Sequence, residues 1–261
     1  MKQHAQEKNC ECEVQNLITP ESPQKQIDFD EYNGIIFGFP VYNERLPTVI
    51  EEWFLEQKIK LSETNENRST IFYAFGGRGF DEANQINYYL LNEIGFSLWL
   101  AGEFVDPHSF NVGKGWILTE NCPNEEDFTL VKEFVEKSSD IFGGNGTLFQ
   151  MNAPLKEYKP CVPLKFFRCF WNLIPRRVSD SYQLCTSCED ICPTEAFDAN
   201  EGKADPSKCI LCMACVKKCP EQVIQTGNLT IVRLMIQMQY RFTRRSTRKK
   251  KSRIYAEFPQ P

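Results

Sequence analysis

The chain has 261 residues, 41% of them hydrophobic, enough for one large domain or two smaller ones with a buried core. Its formal net charge of -5 argues against a general nucleic-acid binder. The longest apolar runs, such as Gly34 to Val41, are far too short to span a bilayer, and the polar start Met-Lys-Gln-His-Ala-Gln-Glu-Lys has no signal-peptide core, so the cytosol is the expected compartment.

In chain order, Met1 to Lys8 reads as the tail of a helix. Cys10-Glu11-Cys12-Glu13-Val14 alternates small apolar with acidic residues, which predicts a half-buried strand. Gly34 to Phe39 is a continuous apolar run, the mark of a strand covered on both faces. Pro47 opens a helix that runs to Leu61, with Val49, Ile50, Trp53 and Phe54 at its apolar positions. Thr70 to Phe75 is the next buried strand and leads into Gly76-Gly77-Arg78-Gly79. A helix over Asp81 to Ile94, a strand over Phe96 to Leu100 and a helix over Glu125 to Phe142 follow, the last with Phe128, Val131, Phe134 and Val135 on one side. Alternating strands and helices predict a doubly wound parallel sheet over residues 1–150. Of the two histidines, His4 is expected in solvent and His108 in a structural hydrogen bond. No residue set suggests catalysis on a bound organic substrate.

Residues 151–178 form a linker rich in proline, basic residues and aromatics (Phe166, Phe167, Phe170, Trp171), read as a packing strip between two units. Residues 179–227 hold seven of the 12 cysteines. In a reducing compartment such a density points to metal or redox chemistry sooner than to disulfides. The second group, Cys209-Ile-Leu-Cys212-Met-Ala-Cys215-Val-Lys-Lys-Cys219-Pro220, is the C-x2-C-x2-C-x3-C-P run of bacterial ferredoxins. Three thiolates at i, i+3 and i+6 converge on one cubane, and the fourth, opening a helix, ligates a neighbouring cluster. Zinc sites pair two C-x2-C hooks instead, and neither zinc nor a disulfide framework explains a triple hook followed by Cys-Pro.

The first group is Cys185-Thr-Ser-Cys188-Glu-Asp-Ile-Cys192-Pro193, and the position where its run should begin holds Tyr182. Crossed ligation therefore predicts one complete set, Cys192, Cys209, Cys212 and Cys215, for a [4Fe–4S] cluster. The other set, Cys185, Cys188 and Cys219, has a vacancy, because a phenol stays protonated near neutral pH. That second site could hold a three-iron cluster, a four-iron cluster with a non-cysteine ligand, or nothing. Cys161 and Cys169 either reach the vacancy or are small buried hydrophobes. Glu221 to Gly227 mirrors Thr194 to Ala199, an internal repeat that predicts a small α+β ferredoxin-like domain.

Residues 228–261 begin with a predicted helix, Leu229 to Tyr240. The run Arg241 to Arg253 follows, rich in Arg and Lys and without an acid. It reads as a solvated tail or as an arm that docks an acidic redox partner or a membrane surface.

Gly38-Phe39-Pro40-Val41-Tyr42 with Arg45-Leu46-Pro47 resembles the loop after the third strand of flavodoxin-like flavoproteins. Ala74 to Phe80 resembles their loop after the fourth strand, and Ala101 to Val105 with His108-Ser109 the stretch after the fifth. With the cysteine run behind it, the chain resembles the flavodoxin–ferredoxin fusion family of anaerobic microbes. The resemblance implies FMN, with Pro40, Val41 and Tyr42 in one wall of its ring site and Phe75, Gly76 and Gly77 in the other. The family's first strand and its phosphate loop find no counterpart before Cys10. The expectation is either a start lacking roughly 20 residues, judged from ordinary element lengths, or a chain that has lost flavin binding. Two functions then compete: electron transfer between FMN, iron–sulfur clusters and an unknown redox partner, or a flavin-free iron–sulfur carrier. A regulator sensing oxygen or iron through the incomplete cluster is a third.

Overall fold

The computed structural model describes residues 1–8, 10–24, 27–42, 45–56, 67–77, 88–112, 119, 121–149, 173–179, 185–227, 229–230, 234 and 251–256. The chain opens with helix α1 (Lys2–Glu7). Three apolar runs then become three neighbouring parallel strands: β1 (Ile35–Pro40), β2 (Arg68–Phe75) and β3 (Ser97–Val105), in the order β1-β2-β3.

Each face of this sheet is covered, which is why the strands are continuously apolar. Helix α2 (Thr48–Glu56) and a short helix α3 (residues 88–93) lie over one face. There Trp53, Phe54, Leu90 and Leu91 pack on Phe37, Phe39, Ile71, Tyr73 and Phe75. Helix α4 (Glu125–Phe142) covers the other face, where Phe134 and Ile141 pack against Leu100, Phe104 and Phe72. Asn124 closes α4 with a capping box: its side chain accepts from the backbone of Asp127, whose carboxylate accepts from Asn124 N at 2.8 Å. One irregularity keeps both faces apolar. The register shifts from Ser69↔Leu98 to Thr70↔Leu100, leaving Trp99 as a bulge. Leu98 and Leu100, two residues apart, thereby serve opposite cores.

The second sheet is small. Strands β4 (Arg176–Arg177), β5 (Phe197–Asp198), β6 (Lys203–Ala204) and β7 (Ile224–Gln225) form an antiparallel sheet in the order β5-β6-β4-β7. Two short helices, α5 (Ser187–Asp190) and α6 (Ala214–Lys218), accompany it. The final strand, β8 (Arg253–Tyr255), returns to the first sheet and pairs antiparallel with the outer edge of β3. The chain is thus a mixed α/β protein with a parallel sheet and a separate cysteine-bearing unit. Among the described residues no helix is long and apolar enough to cross a membrane.

Several expectations need correction. Residues 10–16 form no strand, and Val14 is 66% exposed. The alternation there places no side chain against a core. Helix α1 packs instead on α4, through Lys8 to Glu136 at 2.9 Å and His4 to Glu136 at 3.4 Å, and within α1 His4 also pairs with Glu7 at 3.0 Å. His4 is therefore paired, not free in solvent. Phe128 is 48% exposed, whereas Leu130, Val131, Phe134 and Ile141 carry the side of α4 packed on the sheet. Ala101 to Val105 belongs to β3 itself, so the loop after that strand begins at Asp106. The predicted helix residues 57–61 and 81–87, most of the linker with its aromatic cluster, and residues 235–250 lie outside the described residues.

Candidate metal centre

The cysteine unit is built twice over with a spacing of 27 residues, and its backbone repeats the pattern. Thr186 (φ +53°) precedes α5 and Met213 (φ +60°) precedes α6, both left-handed. Such a conformation is uncommon outside glycine and costs energy. Here it turns the chain so that successive cysteines of a C-x2-C hook, Cys185 and Cys188 or Cys212 and Cys215, flank a helix start. Glu195 (φ +48°) and Gln222 (φ +54°) repeat the device after each Cys-Pro. Their amides donate to the carbonyls of Cys192 and Cys219, both at 3.2 Å. Strands β5 and β7 then occupy equivalent places. The helical hooks and the turns after Cys-Pro are thus two copies of one local structure.

The repeat gathers the thiols. Cys188, Cys209 and Cys215 are buried in one cluster with Ala196, Phe197, Ala199, Ala204 and Ile224, and Cys192 and Cys219 pack against it. Cys215 is pushed up to about 12, first by burial and then by the thiols of Cys212, Cys209 and Cys192. Burial also raises Cys212, whose neighbour Cys192 adds to the shift while the amide of Ala214 opposes it. Cys192, Cys209, Cys212 and Cys215 therefore stand within electrostatic reach of one another, the grouping expected from crossed ligation. Such a group resists becoming thiolate unless a cation shares the pocket. The backbone N–H of Ala196 points at Cys192 Sγ from 3.1 Å, a donor that suits a ligated sulfur.

The remaining thiols differ. Cys188 is raised by burial, whereas exposed Cys185 is lowered, chiefly by hydrogen bonds from Ser187. Tyr182, Cys161 and Cys169 lie outside the described residues. Cys10, Cys12 and Cys122 lie outside this cluster, with Cys10 Sγ 3.3 Å from Ser139 Oγ. Among the described residues no three His, Cys, Asp or Glu side chains are close enough to hold a single metal ion. The donor set and its spacing fit an iron–sulfur cluster.

The other expected site residues gather at the carboxyl end of the parallel sheet. Val41 N donates to Ala74 O and Asp106 N to Phe75 O, both at 2.9 Å, so the ends of β1, β2 and β3 stay in step. Pro40, Val41 and Tyr42 thus lie beside Phe75, Gly76 and Gly77. A Cβ on Gly76 would meet His108 at 2.7 Å, and one on left-handed Gly77 (φ +71°) would meet Thr119. The space these glycines open is filled by the chain's own side chains. The turn from Val41 to Pro47 has no glycine, serine or threonine to cradle a phosphate. His108 Nδ1 accepts from Phe110 N at 3.1 Å, a structural hydrogen bond.

Two side chains at this end lie within electrostatic range of the cysteine unit. Tyr42 feels the charges of Cys212, Asp106 and Cys209, and Asp106 feels Lys217 of α6. Burial raises both groups, with Lys217 opposing the shift of Asp106.

Comparison with known proteins agrees with the donor set. Residues 203–225 match the family model of the 4Fe-4S binding domain, so this part of the chain is an iron–sulfur ferredoxin segment. An uncharacterized polyferredoxin-like protein of Methanocaldococcus jannaschii is 39% identical over 54 residues, a stretch covering 21% of this chain and 25% of that protein. The chain thus spans about a quarter of the length of the curated relative it matches. No solved structure matches the chain.

Proposed function

We propose that this chain is an iron–sulfur electron-transfer protein in which Cys192, Cys209, Cys212 and Cys215 hold one [4Fe–4S] cluster, and that it works in the cytosol with a redox partner. The observation that carries the reading is the C-x2-C-x2-C-x3-C-P spacing of Cys209 to Pro220 together with the burial of Cys209 and Cys215 in one cluster against which Cys192 packs. The match of residues 203–225 to the 4Fe-4S binding domain supports it. The cluster supplies a one-electron redox centre. The chain's own residues supply four thiolates, a backbone donor to Cys192 and a wall of Ala196, Phe197 and Ile224 that limits water. The visible spectrum of anaerobically purified protein tests this: broad iron–sulfur absorbance that dithionite bleaches is expected, and a colourless protein contradicts it.

Cys185, Cys188 and Cys219 form the incomplete second set, with Tyr182 at the position of the absent thiol. Wild type should then hold one stable cluster of about four iron atoms and at most a second, easily lost one. Tyr182→Cys should raise iron and acid-labile sulfide towards about eight each per chain. Two stable four-iron clusters in the wild type would show that another residue fills the vacancy.

A finer reading adds FMN between the walls Pro40–Tyr42 and Phe75–Gly77, in a flavodoxin-like arrangement of the parallel sheet. It is favoured by the gathering of these residues at the end of the sheet that lies within electrostatic range of the cysteine unit. The expected result is weak FMN binding by this chain, since no phosphate cradle accompanies the walls. Flavin fluorescence quenching on titration with FMN measures it. Tight binding would contradict the weight given to the phosphate site, and no binding leaves the chain a flavin-free carrier.

A further inference from the structure

The two halves of the cysteine unit share a backbone and differ in one side chain beside the sulfur. The step that carries Cys192 onto Cys219 also carries Thr194 onto Glu221. Both residues follow a Cys-Pro pair, and both precede a left-handed residue, Glu195 or Gln222. Their surroundings are opposite. Thr194 is buried, 7% exposed, whereas Glu221 is exposed.

Thr194 sits in a turn held by three hydrogen bonds from backbone amides. Glu195 N donates to Cys192 O at 3.2 Å, Ala196 N to Cys192 Sγ at 3.1 Å, and Asp205 N to Ala196 O at 2.7 Å. Within this turn the Thr194 hydroxyl stands 3.9 Å from Cys192 Sγ. Among the described residues that sulfur is the hydroxyl's only hydrogen-bond partner. A neutral thiol accepts weakly, and a buried hydroxyl without a good acceptor destabilises a fold. Valine has the same shape and would avoid that cost. The hydroxyl is well matched instead to a sulfur that carries charge, since charge-assisted hydrogen bonds are the stronger ones. Such a contact strengthens further when the cluster gains an electron, and hydrogen bonds to the sulfurs are a lever that sets iron–sulfur potentials. At Glu221 the same place holds a carboxylate, which donates nothing.

We propose that the Thr194 hydroxyl is a second donor to Cys192 Sγ, beside the amide of Ala196, and that it raises the reduction potential of the cluster on Cys192, Cys209, Cys212 and Cys215. Thr194 acts through the ligand and not on the iron, so it is a positioning residue of the redox centre. The inference rests on the four-cysteine cluster proposed above. It also separates the two halves of the repeat by function. The Cys-Pro turn that serves the complete set carries a donor, and the turn of the incomplete set carries an acid.

The test uses the full chain, purified without oxygen, with Thr194→Val, Thr194→Ala and Thr194→Ser beside the wild type. Iron and acid-labile sulfide per chain and the midpoint potential from an EPR-monitored titration are measured for each. Thr194→Val keeps the shape and removes the donor. Its reduced-to-oxidised ratio at a fixed potential should fall roughly fivefold, the size of one ordinary hydrogen bond. That fall lowers the midpoint by about 40 mV for a one-electron centre. Thr194→Ser keeps the hydroxyl and should stay near the wild-type midpoint, although it loses a buried methyl. A packing role alone would give the reverse, with serine displaced and valine unchanged. A loaded Thr194→Val with the wild-type midpoint, or a Thr194→Ser that falls as far as Thr194→Val, overturns this inference alone. If Thr194→Val fails to load iron, the midpoint of Thr194→Ala decides. If neither loads while Thr194→Ser does, the hydroxyl serves assembly and not potential, and the inference fails. A wild type without acid-labile sulfide overturns the cluster reading and this inference with it.

Discussion

Cys212→Ser should strip the protein of its stable cluster and unfold much of the segment 185–227. Serine keeps the size of cysteine, but its hydroxyl stays protonated where a thiol would ionise, so it is a poor ligand to iron. The effect on folding follows from how little else holds the unit together. Among the described residues its buried cluster holds only small and medium apolar side chains, Ala196, Phe197, Ala199, Ala204 and Ile224, around the cysteines themselves. Its strands are two residues each. A unit this small lacks the apolar area to fold alone and depends on bound metal, whose binding free energy becomes folding free energy. Iron per chain should fall by about four, and far-UV dichroism should lose signal in step. Cys122→Ser, whose thiol packs against the first sheet's core instead, should leave iron unchanged. Unchanged iron in Cys212→Ser would refute the ligand assignment.

Arg253→Ala should destabilise the parallel-sheet unit by about 3 kcal/mol, the lower end of the cost of breaking a buried pair, since the Arg253 side chain is partly exposed. The carboxylate of Glu103 is 0% exposed in the middle of β3. Arg253 meets it with two hydrogen bonds, Nε to Oε2 at 2.8 Å and Nη2 to Oε1 at 3.0 Å. Removing the guanidinium strips the buried carboxylate of two charge-assisted hydrogen bonds. The same substitution loosens β8, which is otherwise held by three residue pairs with β3, by Ser252 Oγ accepting from Val105 N at 2.9 Å, and by Tyr255 against Phe149. Urea unfolding monitored by Trp fluorescence reads the loss. Replacing both partners, Arg253→Leu with Glu103→Leu, should recover most of it, because no charge is then stranded. A single variant as stable as wild type would mean that β8 is not part of the folded sheet.

The parts of the fold that the sequence makes legible are those with a short-range signature. A run buried on both faces is apolar without interruption, and β1, β2 and β3 fall where such runs occur. The C-x2-C-x2-C-x3-C-P spacing carries its geometry in its numbering, so the association of Cys192 with Cys209, Cys212 and Cys215 follows from counting. What stays hidden depends on partners distant along the chain. Arg253 looks like the end of a basic tail because its partner, Glu103, lies 150 residues earlier. Nothing in Arg253-Ile254-Tyr255 marks a strand of its own. Cys10 to Val14 shows the converse, an alternation with no sheet edge to receive it.

The central claim is a four-iron cluster on Cys192, Cys209, Cys212 and Cys215. The most direct measurement is iron and acid-labile sulfide per chain, with EPR of the dithionite-reduced protein, on material purified without oxygen. The account predicts at least about four of each per chain and the signal of a reduced [4Fe–4S] cluster. Bound zinc with no labile sulfide, or iron present without sulfide, would contradict it.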